Sequence, residues 1–370
     1  MKFNCNCLFI VLLYVSMTFM YNPYPAFAQN PFTDFWAMEG NLVSHHYTDR
    51  EDPSLGQKIL ELRGENDLPI WFAKELHKIV CLEGNCRILD LWLFWDGIGD
   101  YLGFNLFKDS PLTKTDHVDF DQEDYEKLHR ILLDEESILG RMEKENLVYP
   151  SVRTDYQVDG YSGATQLSLK EYLVKDAAYT CYTIWHSVYG PVQEEIRRIL
   201  DRRADNSFLT LLFDQHEPKY KIWAINFIER NPSYYSQFLS QIIDQIKSED
   251  DLLSLKAMKF FLAERLSEPA LQIELASRID EFPDQRRYEL LWELAELDLI
   301  QDETIIILLD KFGQNKIKPS LIGYIYNLIR PENLKDYNLA VRLRAFLKHE
   351  NLYVRNLTKK LLMDFNFSVN

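Results

Sequence analysis

The chain is short of positive charge. Over 370 residues, 41 lysines and arginines face 57 aspartates and glutamates, a formal net charge of −16. Surfaces that dock on nucleic-acid phosphates or anionic lipid carry the opposite sign, so neither partner is expected. Cysteine is also scarce, at five residues, and none sits in the C-x-x-C-H arrangement of covalent haem. No serine occupies a G-x-S-x-G elbow and no H-E-x-x-H occurs, so these signatures of hydrolytic chemistry are missing. Past the N-terminal segment, no apolar run is long enough to span a bilayer. What is present, 46% hydrophobic and 26% charged residues, is ordinary globular composition, and the length suits two or three domains.

The N-terminus has an order of its own. Lys2 precedes an apolar run from Leu8 to Met20, a proline-containing stretch, and Ala26-Phe27-Ala28. That is the layout of a secretory signal peptide with cleavage after Ala28, which predicts a periplasmic or secreted protein; an uncleaved anchor is the alternative. Cys5 and Cys7 precede the apolar run, unlike a lipid-anchored cysteine. Among the other three cysteines, Cys81 and Cys86 flank a Gly-Asn turn, a spacing suited to a small disulfide in an exported protein. A metal site with His77 would lack a fourth ligand. Cys181 lies in an apolar helical run and reads as a buried free thiol.

Residues 29–67 show no clear period and carry no assignment. Trp71 to Val80 reads as a short helix or a strand, Arg87 to Trp95 (RILDLWLFW) as a buried strand, and Tyr101 to Phe107 as the next strand after a turn at Asp96–Asp100. Gln122 to Asp134 has helical spacing. Ser168-Leu-Lys-Glu171 has the form of a capping box and predicts a helix from Ser168 to Gly190-Pro191, followed by a second from Val192 to Arg203. From about Asn206 glycine becomes rare and amphipathic helical segments follow one another. Among them are KYKIWAINFIER, SYYSQFLSQIIDQI, DLLSLKAMKFFLAERL, QRRYELLWELAEL, SLIGYIYNLI, NLAVRLRAFLKH and YVRNLTKKLLMDF. Their succession suggests an α-solenoid, with an irregular helical bundle as the alternative.

One stretch carries chemistry: Asp159-Gly-Tyr-Ser-Gly-Ala-Thr165. Gly160 and Gly163 permit a tight turn and close backbone approach. The predicted helix start just beyond would place free N–H groups near the Thr165 hydroxyl, a suitable place for a phosphate. A glycine turn into a capped helix accounts for the same residues. Nearby candidates are Lys114 and His117, which could hold a phosphate or tune a ring, and Trp95 and Tyr101, which could stack on one. For Asp116 and His117 a polar turn is the plainer reading. His129 and His186 read as structural. Tyr179, Tyr182 and Trp185 form a helical stripe that is first a core face, and second a pocket wall.

The same stretch resembles the flavinylation motif D-x-x-(S/T)-G-A-(T/S) of the FMN-binding domain family, which includes the C subunit of the sodium-pumping NADH:quinone reductase. Asp159, Ser162, Gly163, Ala164 and Thr165 match every specified position. The resemblance implies FMN joined by a phosphoester bond to Thr165, with Gly163 and Ala164 shaping the loop and Asp159 serving recognition by an exported FAD-dependent flavin transferase. Gln166 and Leu167 stand where the family often has a second hydroxyl residue.

The resulting expectation is an α+β FMN-binding-type domain at 68–205 followed by an all-α, HEAT-like helical-repeat domain at 206–370, behind the signal at 1–28 and the unassigned 29–67. Its function would be extracytoplasmic electron transfer to or from a redox partner protein or membrane complex, rather than stand-alone catalysis. The alternatives are a non-catalytic helical scaffold with a degenerate FMN-type domain, or FMN bound non-covalently as a sensor.

Overall fold

The computed structural model describes residues 33–48, 57–80, 88–108, 110–114, 117–144, 147, 171–262 and 264–365. The signal segment, the Cys81/Cys86 pair and the Asp159–Thr165 stretch lie outside the described residues. The chain divides into two compact units, Met1–Ile199 and Leu200–Asn370. The first has an antiparallel sheet with covering helices, and the second is all helical.

The sheet runs β1 (Asn41–Tyr47), β2 (Gln57–Arg63), β3 (Pro69–Ile79), β4 (Ile88–Asp96) and β5 (Tyr101–Leu106), each strand hydrogen-bonded to the next in sequence. Its first two strands fall in the stretch without a sequence assignment. The 71–80 segment, readable as helix or strand, is strand β3. The reverse turn from β4 to β5 is built by Asp96, whose buried carboxylate accepts from the N–H of Ile98 and of Asp100, each at 3.0 Å. Gly99 takes φ 89° there, a region open to glycine.

The β4 sequence is apolar at successive positions because both its faces are covered. On one face a 3₁₀ turn, Phe35–Ala37, lays Phe35 against Phe94 with ring centroids 4.4 Å apart. Trp71 Nε1 donates to the Phe35 carbonyl at 3.2 Å. Gly103 makes the fit possible, since a Cβ there would stand 2.7 Å from Phe35 Cζ. On the other face lie α1 (Gln122–Leu132) and α2 (Ala178–Val188), followed by α3 (Pro191–Arg203). Trp95 Nε1 donates to the Val188 carbonyl at 3.0 Å, and the Tyr101 hydroxyl meets His129 Nδ1 at 3.1 Å. Trp71, Phe72, Phe94, Trp95 and Phe104 are all essentially excluded from water. Burial of each such side chain contributes about 1.5–3 kcal/mol.

One expectation is corrected. The helix predicted from Ser168 starts at Ala178 instead, and residues 171–177 are turns and bends. Asp176 takes a positive φ of 57°, which breaks any continuous helix through it, while Leu173 and Val174 are drawn fully into the core. The Val174 N–H donates to Cys181 Sγ at 3.3 Å, and burial pushes that thiol's pKa up to about 12. Cys181 is a buried free thiol. The helix N-terminus therefore lies thirteen positions beyond Thr165 in sequence and has no side-chain cap.

In the second unit, α4 (Asn206–Phe213), α5 (Pro218–Arg230), α6 (Tyr235–Gln245), α7 (Asp251–Leu262), α8 (Pro269–Ser277), α9 (Asp284–Ala295), α10 (Asp302–Gly313), α11 (Ile322–Asn327), α12 (Tyr337–Phe346) and α13 (Leu352–Asp364) follow one another. Pro218 and Pro269 open their helices at the first turn, where a missing N–H costs nothing. Asp205, Asp336 and Asn351 cap three others. Helices pack on the next but one: α5 on α7, α7 on α9, α9 on α11 and α11 on α13 form one row, and α8, α10 and α12 form a second.

Polar links tie each row along its length. Asp244 pairs with Arg278, Asp280 with Lys311, Asp310 with Arg342, Asp251 with Arg286 and Asp284 with Lys318. The Tyr326 and Thr358 hydroxyls meet at 2.6 Å in the same way. The partners in these links are 31 to 35 residues apart in sequence.

Candidate functional site

The helix-covered face of the sheet is where β3, β4 and α2 enclose a cavity of about 450 Å³, inside the usual range for small-molecule sites. The pleat explains the wall. Along β3 the side chains of Phe72, Lys74, Leu76 and Lys78 share one face, and Leu93 and Trp95 of β4 lie beside them. α2 supplies Tyr182, Thr183, His186 and Ser187, while Tyr47 of β1 and Lys144 complete the surround.

The aromatic part of the wall is fixed. Trp95 is fully buried and anchored to Val188, and the Tyr182 ring stands 4.1 Å from the His186 ring. His186 Nε2 lies 3.1 Å from the Leu139 carbonyl, which can only accept, so Nε2 carries the hydrogen and Nδ1 keeps a lone pair in the neutral ring. Burial lowers the His186 pKa, outweighing the Leu139 bond, and favours that neutral form. The α2–α3 corner is held to the sheet by buried Gln193, whose Nε2 donates to the Gly99 carbonyl at 2.9 Å.

The cationic part stands out against the acidic chain. Among the described residues Lys74, Lys78 and Lys144 line the cavity together with Glu75. Lys74 Nζ also donates to the Glu75 carbonyl at 2.8 Å, and Lys144 Nζ sits 5.7 Å from the Tyr179 ring centroid. Ammonium groups beside an aromatic, partly apolar hollow suit a ligand with a flat ring and hydrogen-bond acceptors or negative charge. FMN has both, so the residues present fit that group.

The structure sorts the sequence-predicted residues. Asp159, Ser162, Gly163, Ala164 and Thr165 lie outside the described residues, as does Asp116. Trp95, Tyr182 and His186 meet at the cavity. Tyr101 does not; it is buried beneath α1 on His129, and burial raises its pKa well above the ordinary value. Lys114 is committed to Asp124 at 2.6 Å, a bond that raises its pKa and fastens the first turn of α1. His117, at φ 60°, closes a turn back to the Lys114 carbonyl. Trp185 faces elsewhere, its Nε1 donating to the Asp134 carbonyl at 2.9 Å. Lys74, Lys78 and Lys144 were missed. The signal was the alternation Phe72-Lys74-Leu76-Lys78, which places two lysines on a core-facing row once the segment is read as strand.

A second buried polar group lies on the same sheet face. Glu61 is fully buried, accepting from Arg63 Nε at 2.8 Å and Nη2 at 2.9 Å and meeting His45 Nε2 at 2.6 Å. These contacts come from neighbouring strand residues, so they tie β1 to β2. Among the described residues no helix is long and apolar enough to cross a membrane. No protein-family model, curated protein or solved structure matches the chain.

Proposed function

We propose that this chain is an exported flavoprotein carrying FMN in phosphoester linkage to Thr165 and passing electrons between extracytoplasmic partners. The observation that carries the reading is the Asp159–Thr165 stretch, which matches each specified position of the flavinylation motif. The secretory pattern ending at Ala28 supports it, because flavin transfer of this kind takes place on the exported side. The cavity at β3 and α2 supports it through a lining suited to a flat, acceptor-rich ring.

Bound FMN would supply two-electron chemistry with one-electron release. The chain's own part is to hold and orient. Thr165 provides the hydroxyl that becomes the ester oxygen, Gly163 and Ala164 leave room for the phosphate, and Asp159 is the acidic feature the transferase recognises. A covalent bond keeps the group in place where free FMN is not replenished. The all-α unit is read as a HEAT-like solenoid on its two rows of helices and the 31-to-35-residue links along them, and it offers an extended surface for a redox partner.

The test is co-expression of the full chain with an exported flavin transferase, followed by denaturing electrophoresis and intact mass. The reading predicts flavin fluorescence that survives denaturation and a mass gain of one FMN less water, both lost in Thr165→Val. An unmodified wild-type mass beside an active transferase would reject it in favour of a non-catalytic helical scaffold.

A further inference from the structure

We infer that a second hollow, on the sheet face that carries the Phe35–Ala37 turn, binds a neutral saccharide. A sugar ring lies on Trp36 and Trp92, and its hydroxyls are bonded at a polar edge formed by Asp34, Asn105 and Lys108. Such a site stands on residues that the flavin reading does not use.

The pleat and the strand register build the hollow. Phe35 sits on Phe94 and over Gly103, which are partners across β4 and β5. Two positions along each strand, on the same face, Trp92 stands opposite Asn105. Trp36, next to Phe35 in the turn, reaches Trp92 with ring centroids 5.0 Å apart and planes at 82°, and the Phe107 ring lies 6.0 Å from Trp92. Among them is a space of about 500 Å³, inside the usual range for small molecules. Trp36 is 42% exposed, whereas Trp71 and Trp95 of the same sheet are buried. Its position is nevertheless fixed. Asp34 Oδ1 accepts from the Trp36 N–H at 3.1 Å, and the indole meets Trp71 and Phe94 edge-on at 5.4 and 5.5 Å. A fixed and open indole is a platform for the apolar face of a ligand.

The polar edge selects the ligand. Asp34 and Lys108 are exposed and opposite in charge. A charged ligand is repelled by one of them as it is attracted by the other, and a wholly apolar ligand strips water from both. Asn105 adds a directional demand. Its Nδ2 donates to the Thr33 carbonyl at 2.8 Å and to the Phe104 carbonyl at 3.0 Å; both carbonyls can only accept, so the orientation of the amide is set. Its Oδ1 is buried and has no hydrogen-bond partner among the described residues, and an acceptor left in that state is costly. A hydroxyl seated in the hollow supplies the donor. A sugar ring combines C–H faces, for the indoles, with a rim of hydroxyls that donate and accept, for Asn105, Asp34 and Lys108. Its pucker also lets it touch two indole planes set nearly at right angles, where a flat ring lies on one.

The experiment titrates the full chain by isothermal calorimetry with cellohexaose, mannohexaose, chitohexaose and maltohexaose, and with tetramethylammonium and inorganic phosphate as charged probes. At least one saccharide should bind with a dissociation constant below about 1 mM. Trp36→Ala should weaken that binding at least tenfold and Asn105→Ala several-fold. Lys360→Glu, on the exposed side of α13, is the control and should change nothing. Added salt should have little effect, because no net charge is neutralised on binding. Circular dichroism checks folding; if Trp36→Ala unfolds the protein, Lys108→Ala at the exposed rim decides, and should weaken binding several-fold. Silence from all four saccharides, saccharide binding indifferent to the hollow's variants, or tetramethylammonium or phosphate bound there in their place would overturn the inference.

Discussion

Glu61 provides a test of how the sheet is held. Its carboxylate is fully buried, whereas its partners Arg63 and His45 keep 20% and 22% of their side chains exposed. Removing one partner of a buried pair costs about 3–5 kcal/mol, chiefly because the other charge is left in low dielectric. In Arg63→Met the charge left behind is the buried one, which keeps its contact with His45. A loss near 3 kcal/mol is therefore expected. Glu61→Leu removes the same bridges but leaves Arg63 and His45 within reach of water, so its cost should be nearer 1–2 kcal/mol. The double variant should be more stable than Arg63→Met alone. Urea unfolding, followed by tryptophan fluorescence and far-UV circular dichroism, measures the order. At a slope of about 2 kcal/mol per molar, Arg63→Met should lower the midpoint by roughly 1.5 M. Five of the seven tryptophans lie in the first unit, so fluorescence reports mainly on the sheet. Equal losses in the two single variants, or a double variant weaker than both, would refute the asymmetry argument.

Three further outcomes follow from particular contacts. Gly103→Ala should cost about 1–3 kcal/mol, because the added Cβ would stand 2.7 Å from the buried Phe35 ring; an unchanged thermal midpoint would contradict the close approach. Thr358→Val should cost about 1–2 kcal/mol, since the Tyr326 hydroxyl would lose its 2.6 Å partner in a buried setting. Acid should weaken the helical unit. Against burial, which acts to raise them, ion pairing with Arg278 lowers the pKa of Asp244 and pairing with Lys311 lowers that of Asp280; bonds to Arg278 and to Lys318 lower Glu281 and Asp284. Groups lowered in the folded state stabilise it above their unfolded pKa of about 4. That contribution should disappear as pH falls through the lower folded values, and Asp280→Asn should flatten the acid limb of a stability–pH curve. An unchanged slope would show that these pairs contribute nothing.

How much of this was readable depended on burial geometry. RILDLWLFW announced a buried strand because β4 is covered on both faces. β1 announced nothing: it is an edge strand with Leu42 half exposed and one buried residue, Tyr47, so no alternation stands out. The amphipathic helices of the second unit showed in sequence because each buries one stripe. The 31-to-35-residue spacing did not, because its acidic members sit in different settings: Asp244 near the end of α6, Asp280 in a 3₁₀ turn and Asp310 within α10. Their cations also alternate between arginine and lysine. The capping-box pattern at Ser168–Glu171 misled, since Leu173 and Val174 draw the chain into the core before the helix starts. Lys114 looked available for a phosphate until its partner Asp124 was placed beside it by the fold.

The central claim is a bond at one hydroxyl. Trypsin should release residues 154–170 as a single peptide, cut after Arg153 and Lys170 and containing Thr154, Ser162, Thr165 and Ser168. Mass fragmentation of that peptide, from full chain made with an exported flavin transferase, should show one FMN less water on Thr165. The bare peptide, or the group on Thr154, Ser162 or Ser168, would contradict the account.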